Sequence, residues 1–581
     1  MENKEENGVV VPFTQNAEFY YRRACRYLEE NNELLAVQYA RRAYLMAPHD
    51  AEYAITLAET LNQIHRYEES IKVLLTACPV KEMPSDALFG LASNFMGLEE
   101  FHAAAQCAEL CIQKESDGPY ADRAADLLDL IDDREDLEYQ IGLAEGEDIK
   151  MLEQIRFAKA MQFSDNADKA VAFLEEMTER YPESDILDME IAMALFASHE
   201  YQRAEQRLFR IFQRNSRHIR AHLLMALLYH AEGREQETED ELNRTIIDPD
   251  ASPEELGYAG AVFVEFDKID RAVDALERLR KFLPYDKDML HELAYCYLRQ
   301  NRRELAEETY RILFMSDESD TVAQYYVNMI RTEKEESFLG SWSLHYDVPI
   351  TEFLTRQATV LAVAKKGSEG IREAWEKDPR FRELIRWALF SQLVTFKKAV
   401  IQILSLINDD EAERLLRQFI ISFDQSDQDK QFAFGSLLSK EADPPFAVYM
   451  GGKWQYGSVS PVPVPGKMPK SYEGILLNIR GMKEKAAAVS DNQAKMIPNH
   501  AEEIGAQIFM LYMNTIEGRF PTLTPSQREA MSAAFVLLAV NSMNSDEEIP
   551  PEMICGWYGV SRLRLENALK RIFSHLQGGG E

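Results

Sequence analysis

Two cysteines that lie four residues apart are the first residues whose spacing could allow metal binding. Cys107 and Cys111 lie one turn apart on a predicted helix, so both sulfurs could face one metal ion. A structural zinc site needs four ligands, and no neighbouring His or Cys completes the set. Cysteine is also among the residue types that are most often buried. The pair therefore indicates two buried cysteines rather than a metal site.

Three histidines offer a second pattern for metal binding. His218 and His222 are also four residues apart, and His230 follows two turns later. The glutamate that stands between the two histidines of a metalloprotease helix is missing here. The Gly-Gly-Lys segment at 451–453 lacks the upstream glycine and the following Ser or Thr of a phosphate-binding loop, and the sequence has no nucleophile elbow. We predict no catalytic residue, no metal and no cofactor, and hence a protein that is not an enzyme.

The negative charge of the chain limits the partners it could have. Among 581 residues, 98 Asp and Glu outnumber 64 Lys and Arg, which gives a net charge of −34. Residues 333–581 hold 28 Lys and Arg against 32 Asp and Glu, which leaves about −30 for residues 1–332. Binding to phosphate backbones or anionic lipid relies on excess Lys and Arg. Both kinds of partner are therefore disfavoured for the first part of the chain and less so for the second.

The sequence shows no signal peptide, no membrane-spanning segment and no cysteine pattern typical of an oxidising compartment. The charged start MENKEENGVV has no apolar segment of the kind found in signal peptides. The longest apolar runs, such as residues 535–540, are too short to span a bilayer. Six scattered cysteines do not suggest a disulfide framework. We expect a cytoplasmic protein that does not enter membranes.

An internal repeat of 34 residues organises the first part of the chain. The clear units begin at Ala17, Ala51, Ser85, Met151, Asp185, Ile219, Pro253 and Lys287. The eighth residue of each unit is small: Ala24, Ala58, Ala92, Ala158, Ala192, Ala226, Gly260 and Ala294. The twentieth residue is small as well: Ala36, Ser70, Ala104, Ala170, Ala204, Thr238, Ala272 and Ala306. Small residues at both positions let two antiparallel helices approach closely, so each unit is predicted to be a helical hairpin.

This pattern resembles the tetratricopeptide repeat, whose consensus has small residues at positions 8 and 20 and proline at position 32. Proline is present there at Pro48, Pro182 and Pro284, where it ends the second helix of its unit. Residues 119–150 fill the gap as a degenerate unit, and a helix over 321–330 would cover the open end. The resemblance implies an all-α superhelix over residues 17–332, with eight clear units and one degenerate unit.

The resemblance also implies a binding surface, because the first helix of each tetratricopeptide unit lines a concave groove. In the central units the groove positions are apolar and rich in methionine, which suits an adaptable surface for a peptide or a helix. We expect this surface to consist of Ile155, Met189, Met193, Phe196, Leu223, Leu227 and His230. The alternative is that these side chains pack against an adjacent helix or against the C-terminal region.

One known activity of the family does not fit the residues. Members that grip the C-terminal carboxylates of heat-shock chaperones use Lys at position 5 and Asn at position 9 of an opening unit. Tyr21 and Cys25 occupy those positions in the first unit, and Ile55 and Glu59 occupy them in the second. The expected function is a scaffold or adaptor that binds one or more proteins or peptides, and the sequence leaves its oligomeric state open.

The remaining residues divide into shorter regions. Residues 1–16 are a predicted tail, and 333–349 are a linker that ends the solenoid. Residues 350–445 read as a helical extension with short polar connections. Residues 446–470 combine a small hairpin with a Pro-Val linker at 461–465, and residues 471–575 form a C-terminal helical domain.

The end of the chain carries a second resemblance. Residues 549–572 read as a short helix, a Gly-Val-Ser turn and a longer helix, similar to a helix-turn-helix at the end of a cyclin-like repeat. The exposed residues of the longer helix would be Arg562, Arg564, Asn567, Lys570 and Arg571. This basic face could contact nucleic acid, which would make the protein a regulator with a solenoid sensor, or it could dock on the acidic solenoid.

Overall fold

Helices make up almost all of the structure. The computed structural model describes residues 15–77, 82–141, 143–144, 146–162, 167–332, 342–391, 394–440, 442, 446–457, 470–498, 500–515, 523–543 and 549–577. Within these ranges lie 32 helices and one two-stranded sheet. The fold is therefore all-α, as predicted. None of these helices is long and apolar enough to cross a membrane.

The chain divides into two bodies. The amino-terminal body comprises the described residues among Met1–Lys365 and Glu376–Leu393, and the carboxy-terminal body those among Lys366–Trp375 and Val394–Glu581. The region boundaries predicted at 332, 349, 445 and 470 remain predictions. The Pro-Val segment at 461–465 lies outside the described residues.

Each repeat unit is a pair of antiparallel helices, and a single helix follows the ninth unit. The pairs are α1 (Ala17–Glu29) and α2 (Glu33–Met46), α3 (Ala51–Gln63) and α4 (Tyr67–Ala77), α5 (Ser85–Gly97) and α6 (Phe101–Lys114), α7 (Ala121–Asp132) and α8 (Arg134–Gln140), α9 (Ile149–Gln162) and α10 (Ala167–Met177), α11 (Asp185–Ala197) and α12 (Tyr201–Arg214), α13 (Ile219–Ala231) and α14 (Glu235–Arg244), α15 (Pro253–Glu265) and α16 (Ile269–Leu279), and α17 (Lys287–Arg299) and α18 (Arg303–Ser316). The closing helix is α19 (Thr321–Thr332).

The repeat prediction is confirmed almost to the residue. Seven of the eight clear units begin with a helix at the predicted position, and only α9 begins two residues earlier, at Ile149 rather than Met151. The degenerate fourth unit keeps a second helix, α8, but this helix has only seven residues. The acidic run at 132–136 spans the join between the two helices, where Asp133 caps α8 by accepting from the N–H of Asp136.

The small residues at positions 8 and 20 lie where the two helices of a unit meet. All sixteen of them are buried. In the second unit the Ser70 hydroxyl donates to the carbonyl oxygen of Ala58, at 2.8 Å. In the eighth unit a Cβ on Gly260 would lie 2.4 Å from Cδ2 of Leu276. The two helices of a unit therefore approach each other closely at both positions.

The turn between the two helices of a unit has its own repeated geometry. The residue at position 15 has a positive φ in all seven clear units in which the structure describes it: Asn31, His65, Glu99, His199, Gly233, Asp267 and Asn301. This left-handed residue lets the next N–H reach back to the carbonyl at position 11, as in the bond from Asn32 to Tyr27 at 2.9 Å. The bond is that of a Schellman C-cap, which ends the first helix. This turn is hard to predict from sequence, because only one of the seven residues is glycine.

The solenoid curves far enough for its last unit to meet its first. Helix α2 contacts α18. The Arg42 Nε and the Gln38 amide both donate to the Glu318 carboxylate, each at 2.8 Å. Arg41 Nε donates to the carbonyl oxygen of Ser316 at 3.0 Å. The amino-terminal body is thus closed on itself by contacts between residues about 275 positions apart in sequence.

A largely buried cluster of charges lies at this closure. Arg41 Nη1 is 2.6 Å from Glu69 Oε1, and its Nε is 3.8 Å from Asp317 Oδ1. Arg66 lies 3.6 Å from the other oxygen of Glu69. Burial alone would raise the pKa of both carboxyls, but the guanidinium groups outweigh it: the pKa of Glu69 falls to about 2, and that of Asp317 falls below its usual range. We call these four residues the closure cluster.

The rest of the chain is helical apart from one hairpin. Its elements are α20 (Ile350–Ala364), α21 (Gly367–Lys377), α22 (Pro379–Phe390), α23 (Lys397–Ser405), α24 (Asp410–Ile421), α25 (Asp427–Ser439), β1 (Phe446–Met450), β2 (Lys453–Gly457), α26 (Lys470–Arg480), α27 (Met482–Val489), α28 (Asp491–Lys495), α29 (Ala501–Thr515), α30 (Pro525–Met543), α31 (Pro551–Tyr558) and α32 (Arg562–Gln577). The predicted hairpin is present, with Met450 opposite Lys453. Gly451 and Gly452 both have positive φ, as a two-residue hairpin turn requires.

Helix α30 is the centre of the core of the carboxy-terminal body. Helices α26, α29, α31 and α32 all contact it. From Ala530 to Val540 every residue except Leu538 is buried. Such a helix, apolar on all sides, is typical of the middle of a bundle.

The closure cluster gives the first prediction. Replacing Arg41 with Ala leaves two buried carboxylates without their main counter-charge, so we expect a loss of about 3–5 kcal/mol of stability. In the wild type the closure cluster makes its full contribution to the free energy of unfolding above the ordinary carboxyl pKa of about 4. This contribution is lost as the pH falls toward about 2. Thermal unfolding followed by circular dichroism at several pH values measures both effects.

A matched control is Arg22→Ala, because Arg22 pairs with Glu18 on the solvent-exposed side of α1. That variant should change stability by less than about 1 kcal/mol. Hydrogen exchange should also accelerate in α2 and α18 of Arg41→Ala. Equal melting of the two variants would contradict the assigned role of the closure cluster.

Candidate binding groove

The first helices of the units form the inner wall of the solenoid. Consecutive first helices contact one another, as α13 does with α15 and α15 with α17. In the described ranges, consecutive second helices make no contact of comparable extent. The more closely spaced layer of a curved stack lies on its inside, so the first helices face the groove.

The seven predicted groove residues separate by their position in the unit. Those at position 5, Ile155, Met189 and Leu223, are buried in the solenoid core. Those at positions 9 and 12 remain accessible: Met193, Phe196 and Leu227 are half-buried, and His230 is exposed. A side chain at position 5 points into the seam between neighbouring first helices, whereas positions 9 and 12 lie on the open surface.

The accessible apolar residues form one strip across two adjacent units. Met193 and Phe196 lie one turn apart on α11, and Leu227 lies on α13 at the position equivalent to Met193. All three pack at their bases against the core of the central units. The Phe196 ring also contacts the Tyr201 ring, with centroids 5.8 Å apart. We call Met193, Phe196 and Leu227 the apolar strip.

A row of charged side chains borders the strip. Arg220 Nη2 donates to the Met193 sulfur at 3.5 Å, and its Nη1 lies 2.6 Å from Glu254. Glu190 lies 3.8 Å from Arg220 and 3.0 Å from Lys159. The Arg220 side chain is only 13% exposed, so it holds Met193 in place from one side.

The groove is acidic in the opening units. The Tyr21 hydroxyl donates to Glu52 at 2.6 Å, and this bond together with burial raises the pKa of Tyr21. Burial raises the pKa of Glu59, and the nearby Asp86 raises it further. A carboxylate ligand would meet like charges here, which agrees with the missing Lys and Asn of the chaperone-binding members.

A segment of the chain itself covers the groove side of the ninth unit. Trp342 stacks near Tyr326, with centroids 4.4 Å apart, and near His291, at 5.4 Å. The Tyr346 hydroxyl donates to Asp320 at 2.8 Å. The Tyr326 hydroxyl in turn donates to the carbonyl oxygen of Asp347 at 2.9 Å. Sequence reasoning treated residues 333–349 as a linker, because aromatic residues in a short irregular segment give no periodic signal.

His291 is buried beneath this segment. Its Nε2 lies 2.7 Å from the carbonyl oxygen of Ser343, which can only accept, so Nε2 carries the proton. Its Nδ1 then accepts from the Tyr310 hydroxyl. Burial lowers the pKa of His291 to about 4, more than the bond to Ser343 raises it. The ring is therefore neutral in the folded protein at neutral pH.

The wall of the same unit also carries two carboxyls, the exposed Asp288 and the half-buried Glu292. Asp288 and Glu292 lie one turn apart on α17. Burial raises the pKa of Glu292 to about 8, and Asp288 adds to the rise. At neutral pH Glu292 is largely protonated and can donate a hydrogen bond.

The cysteines and histidines that could have bound a metal have other partners. Cys107 and Cys111 are buried, and burial raises the pKa of the Cys107 thiol to about 12. The His222 ring bonds Glu241 at 2.6 Å and the Ser216 carbonyl at 3.0 Å. His218 caps α13 by accepting from the N–H of Ala221. Within the described part of the chain no three His, Cys, Asp or Glu side chains are grouped as a metal would require.

The end of the chain has the predicted helix–turn–helix outline. Gly559, with a φ of 62°, ends α31, and α32 follows after a short turn. The predicted basic face of α32 is partly neutralised: Arg562 pairs with Glu566 at 3.1 Å and with Glu552.

The other residues of this face differ in their accessibility. Arg564 is exposed and donates to the Ser526 hydroxyl at 2.7 Å. Asn567 and Lys570 are exposed, whereas Arg571 is half-buried and hydrogen-bonds to Tyr512. Contact with nucleic acid through these residues remains a prediction.

Comparison with known proteins supports the repeat assignment. No protein-family model matches the chain. A curated relative, the TPR repeat-containing protein YvcD of Bacillus subtilis (strain 168), is 29% identical over 244 residues. This match covers 41% of the present chain and 49% of YvcD, so it spans about half the length of that relative.

Solved structures that resemble the chain include further proteins with this repeat. A tetratricopeptide repeat protein from Parabacteroides merdae ATCC 43184 is 13% identical, and the match covers 55% of this chain and 100% of that one, with a TM-score of 0.21. The P58(IPK) TPR domain is 12% identical, with coverage of 55% and 99% and a TM-score of 0.22. Overlaps this low carry no information about ligands.

The neutral state of His291 gives a second prediction. Its pKa is lower in the folded chain than in the unfolded chain, so the unfolded state binds the extra proton first. The contribution of the neutral His291 ring to the free energy of unfolding should be fully present above a pH of about 6.5. It should fall by about 3 kcal/mol as the pH approaches 4. The difference between wild type and His291→Gln, measured by thermal unfolding over this range, isolates the effect. His102→Gln, at an exposed site on α6, should behave like the wild type, and a wild-type pH dependence in His291→Gln would contradict the assignment.

Proposed function

Because residues 17–332 are a tetratricopeptide-repeat solenoid, we propose that this protein is a scaffold that binds an extended or helical segment of a partner protein. The binding surface is the groove wall of the central units, and the apolar strip provides its main contacts. In this proposal the protein binds its partner and does not catalyse a reaction on it.

The observation that carries the proposal is the accessible apolar strip itself. Met193, Phe196 and Leu227 occupy the groove side of helices whose other large apolar residues are buried, apart from the half-buried Ile186. A methionine at the centre suits partners of varied shape, because its unbranched side chain adapts to the surface it meets. The side chains are held at their bases by the core, so binding need not order them from a fully mobile state.

The charged row gives the strip a direction. Arg220 and Lys159 present positive charge beside the strip, and Glu190 and Glu254 present negative charge. A bound segment would therefore place its apolar side chains on Met193 and Phe196 and its polar groups toward this row. Charge pairs beside a binding surface contribute more to orientation than to affinity.

The apolar strip gives a third prediction. Each of Met193 and Phe196 contributes about 2 kcal/mol if a partner buries it fully. Met193→Glu together with Phe196→Glu should therefore weaken partner binding by at least about a hundredfold. Affinity capture with the full-length protein, followed by mass spectrometry, compares the partners retained by the wild type and by the variant.

The control is Phe209→Glu, which adds one of the two negative charges at an exposed aromatic residue on the second helix α12. Circular dichroism should show that all the proteins are equally folded. If the double variant captures the same partners as the wild type, the groove is not the binding surface. If Phe209→Glu loses them as well, the loss reflects added charge rather than the strip.

A further inference from the structure

Helix α20 exposes an apolar face that nothing in the described structure covers. Ile350 and Leu354 are 63% and 55% exposed, and Leu361 is 38% exposed. Ala358 and Ala362 continue the row at the same spacing of four residues and are also exposed. The row Ile350, Leu354, Ala358 and Ala362 runs along the whole helix, and we call it the α20 face.

The charges of α20 lie on its opposite, inner side. Arg356 is 8% exposed and donates to the hydroxyl and the carbonyl of Thr321, at 3.0 and 3.1 Å. It also pairs with Glu352 at 2.9 Å and lies over the Trp387 ring. This is the reverse of an ordinary surface helix, which turns its charges to solvent and its leucines inward.

A second row of three threonines lies on the outer surface, and two of their hydroxyls are hydrogen-bonded within the helix. Thr351, Thr355 and Thr359 are exposed beside the α20 face. The Thr355 hydroxyl donates to the Thr351 carbonyl, and the Thr359 hydroxyl donates to the Thr355 carbonyl, each at 2.9 Å. Because both donors are satisfied within the helix, these residues can present their methyl groups to a partner without a desolvation penalty.

We propose that the α20 face binds a second copy of this chain, with the two helices antiparallel. A two-fold axis near residue 356 would place Leu354 of each copy against Ala358 of the other, and Ile350 against Ala362. The large residues of the first half of the helix thus meet the small residues of the second half. Self-complementarity of this kind is what a contact between two identical surfaces requires.

The charge of the chain favours this surface for self-association. Two copies that each carry −34 repel one another over most of their surfaces. The α20 face has no ionisable side chain, and the exposed residues that follow it, Lys365 and Lys366, are basic. Two copies can therefore meet here without bringing carboxylates together.

The length of α20 sets the expected strength of the contact. A helix of 15 residues is about 22 Å long. Two rows of side chains over that length cover less than the roughly 800 Å² per partner of a standard interface. The dimer should therefore be weak and should depend on protein concentration.

Sedimentation velocity of the full-length protein over a range of concentrations tests the proposal. The wild type should shift from monomer to dimer, and added salt should strengthen the dimer because it screens the like charges. Leu354→Glu should remain monomeric at all these concentrations. Ile246→Glu, at an exposed apolar residue of the solenoid, should dimerise like the wild type.

Exchange of the large and small residues tests the geometry. Leu354→Ala and Ala358→Leu should each weaken the dimer, and the double variant should restore it, because each leucine again meets an alanine. A wild type that stays monomeric throughout would overturn the proposal. So would a dimer that Leu354→Glu leaves intact, or a double variant no better than the single ones.

Discussion

The close approach of the two helices in each unit is the contact on which the rest of the structure depends. Ala, Gly, Ser or Thr at positions 8 and 20 brings the backbones together, as the Ser70 bond to the Ala58 carbonyl shows. Each unit is then a closely packed helical hairpin, and neighbouring hairpins contact more extensively through their first helices than through their second helices. Curvature follows from this difference, because every added unit turns the stack in the same direction. The meeting of α2 with α18 is the accumulated result.

Closure changes what kind of groove the solenoid has. An open superhelix can wind or unwind around a ligand, but here Arg41, Glu69 and Asp317 hold the two ends together. The wall that carries Met193 and Phe196 is therefore fixed before a partner arrives, which lowers the entropy cost of binding. The charges of the closure cluster are buried, so their value lies more in specifying this one arrangement than in added stability.

Sequence reasoning identified the features that repeat and missed those that do not. The small residue at position 8 could be predicted because it recurs in every clear unit, and the unit boundaries follow from the same 34-residue period. The closure could not be predicted, because Arg41 and Asp317 are ordinary surface-type residues 276 positions apart. The groove was predicted as one set of seven residues, but Met189 lies in the seam between helices and only positions 9 and 12 are accessible. That distinction depends on the tilt between units, which one sequence does not reveal.

The acidity of the first 332 residues has a structural use as well as a solvating one. Glu175 pairs with Arg203 and Arg207 of the following unit, and Arg214 pairs with Asp188 of its own. Many carboxylates thus sit at the joints of the solenoid rather than on a surface that selects a ligand. An uncharged surface is then unusual in this molecule. The α20 face is uncharged because Arg356, the arginine of that helix, is buried on the opposite side. The chain uses charge to build its scaffold, and it presents uncharged surface at the apolar strip and at the α20 face.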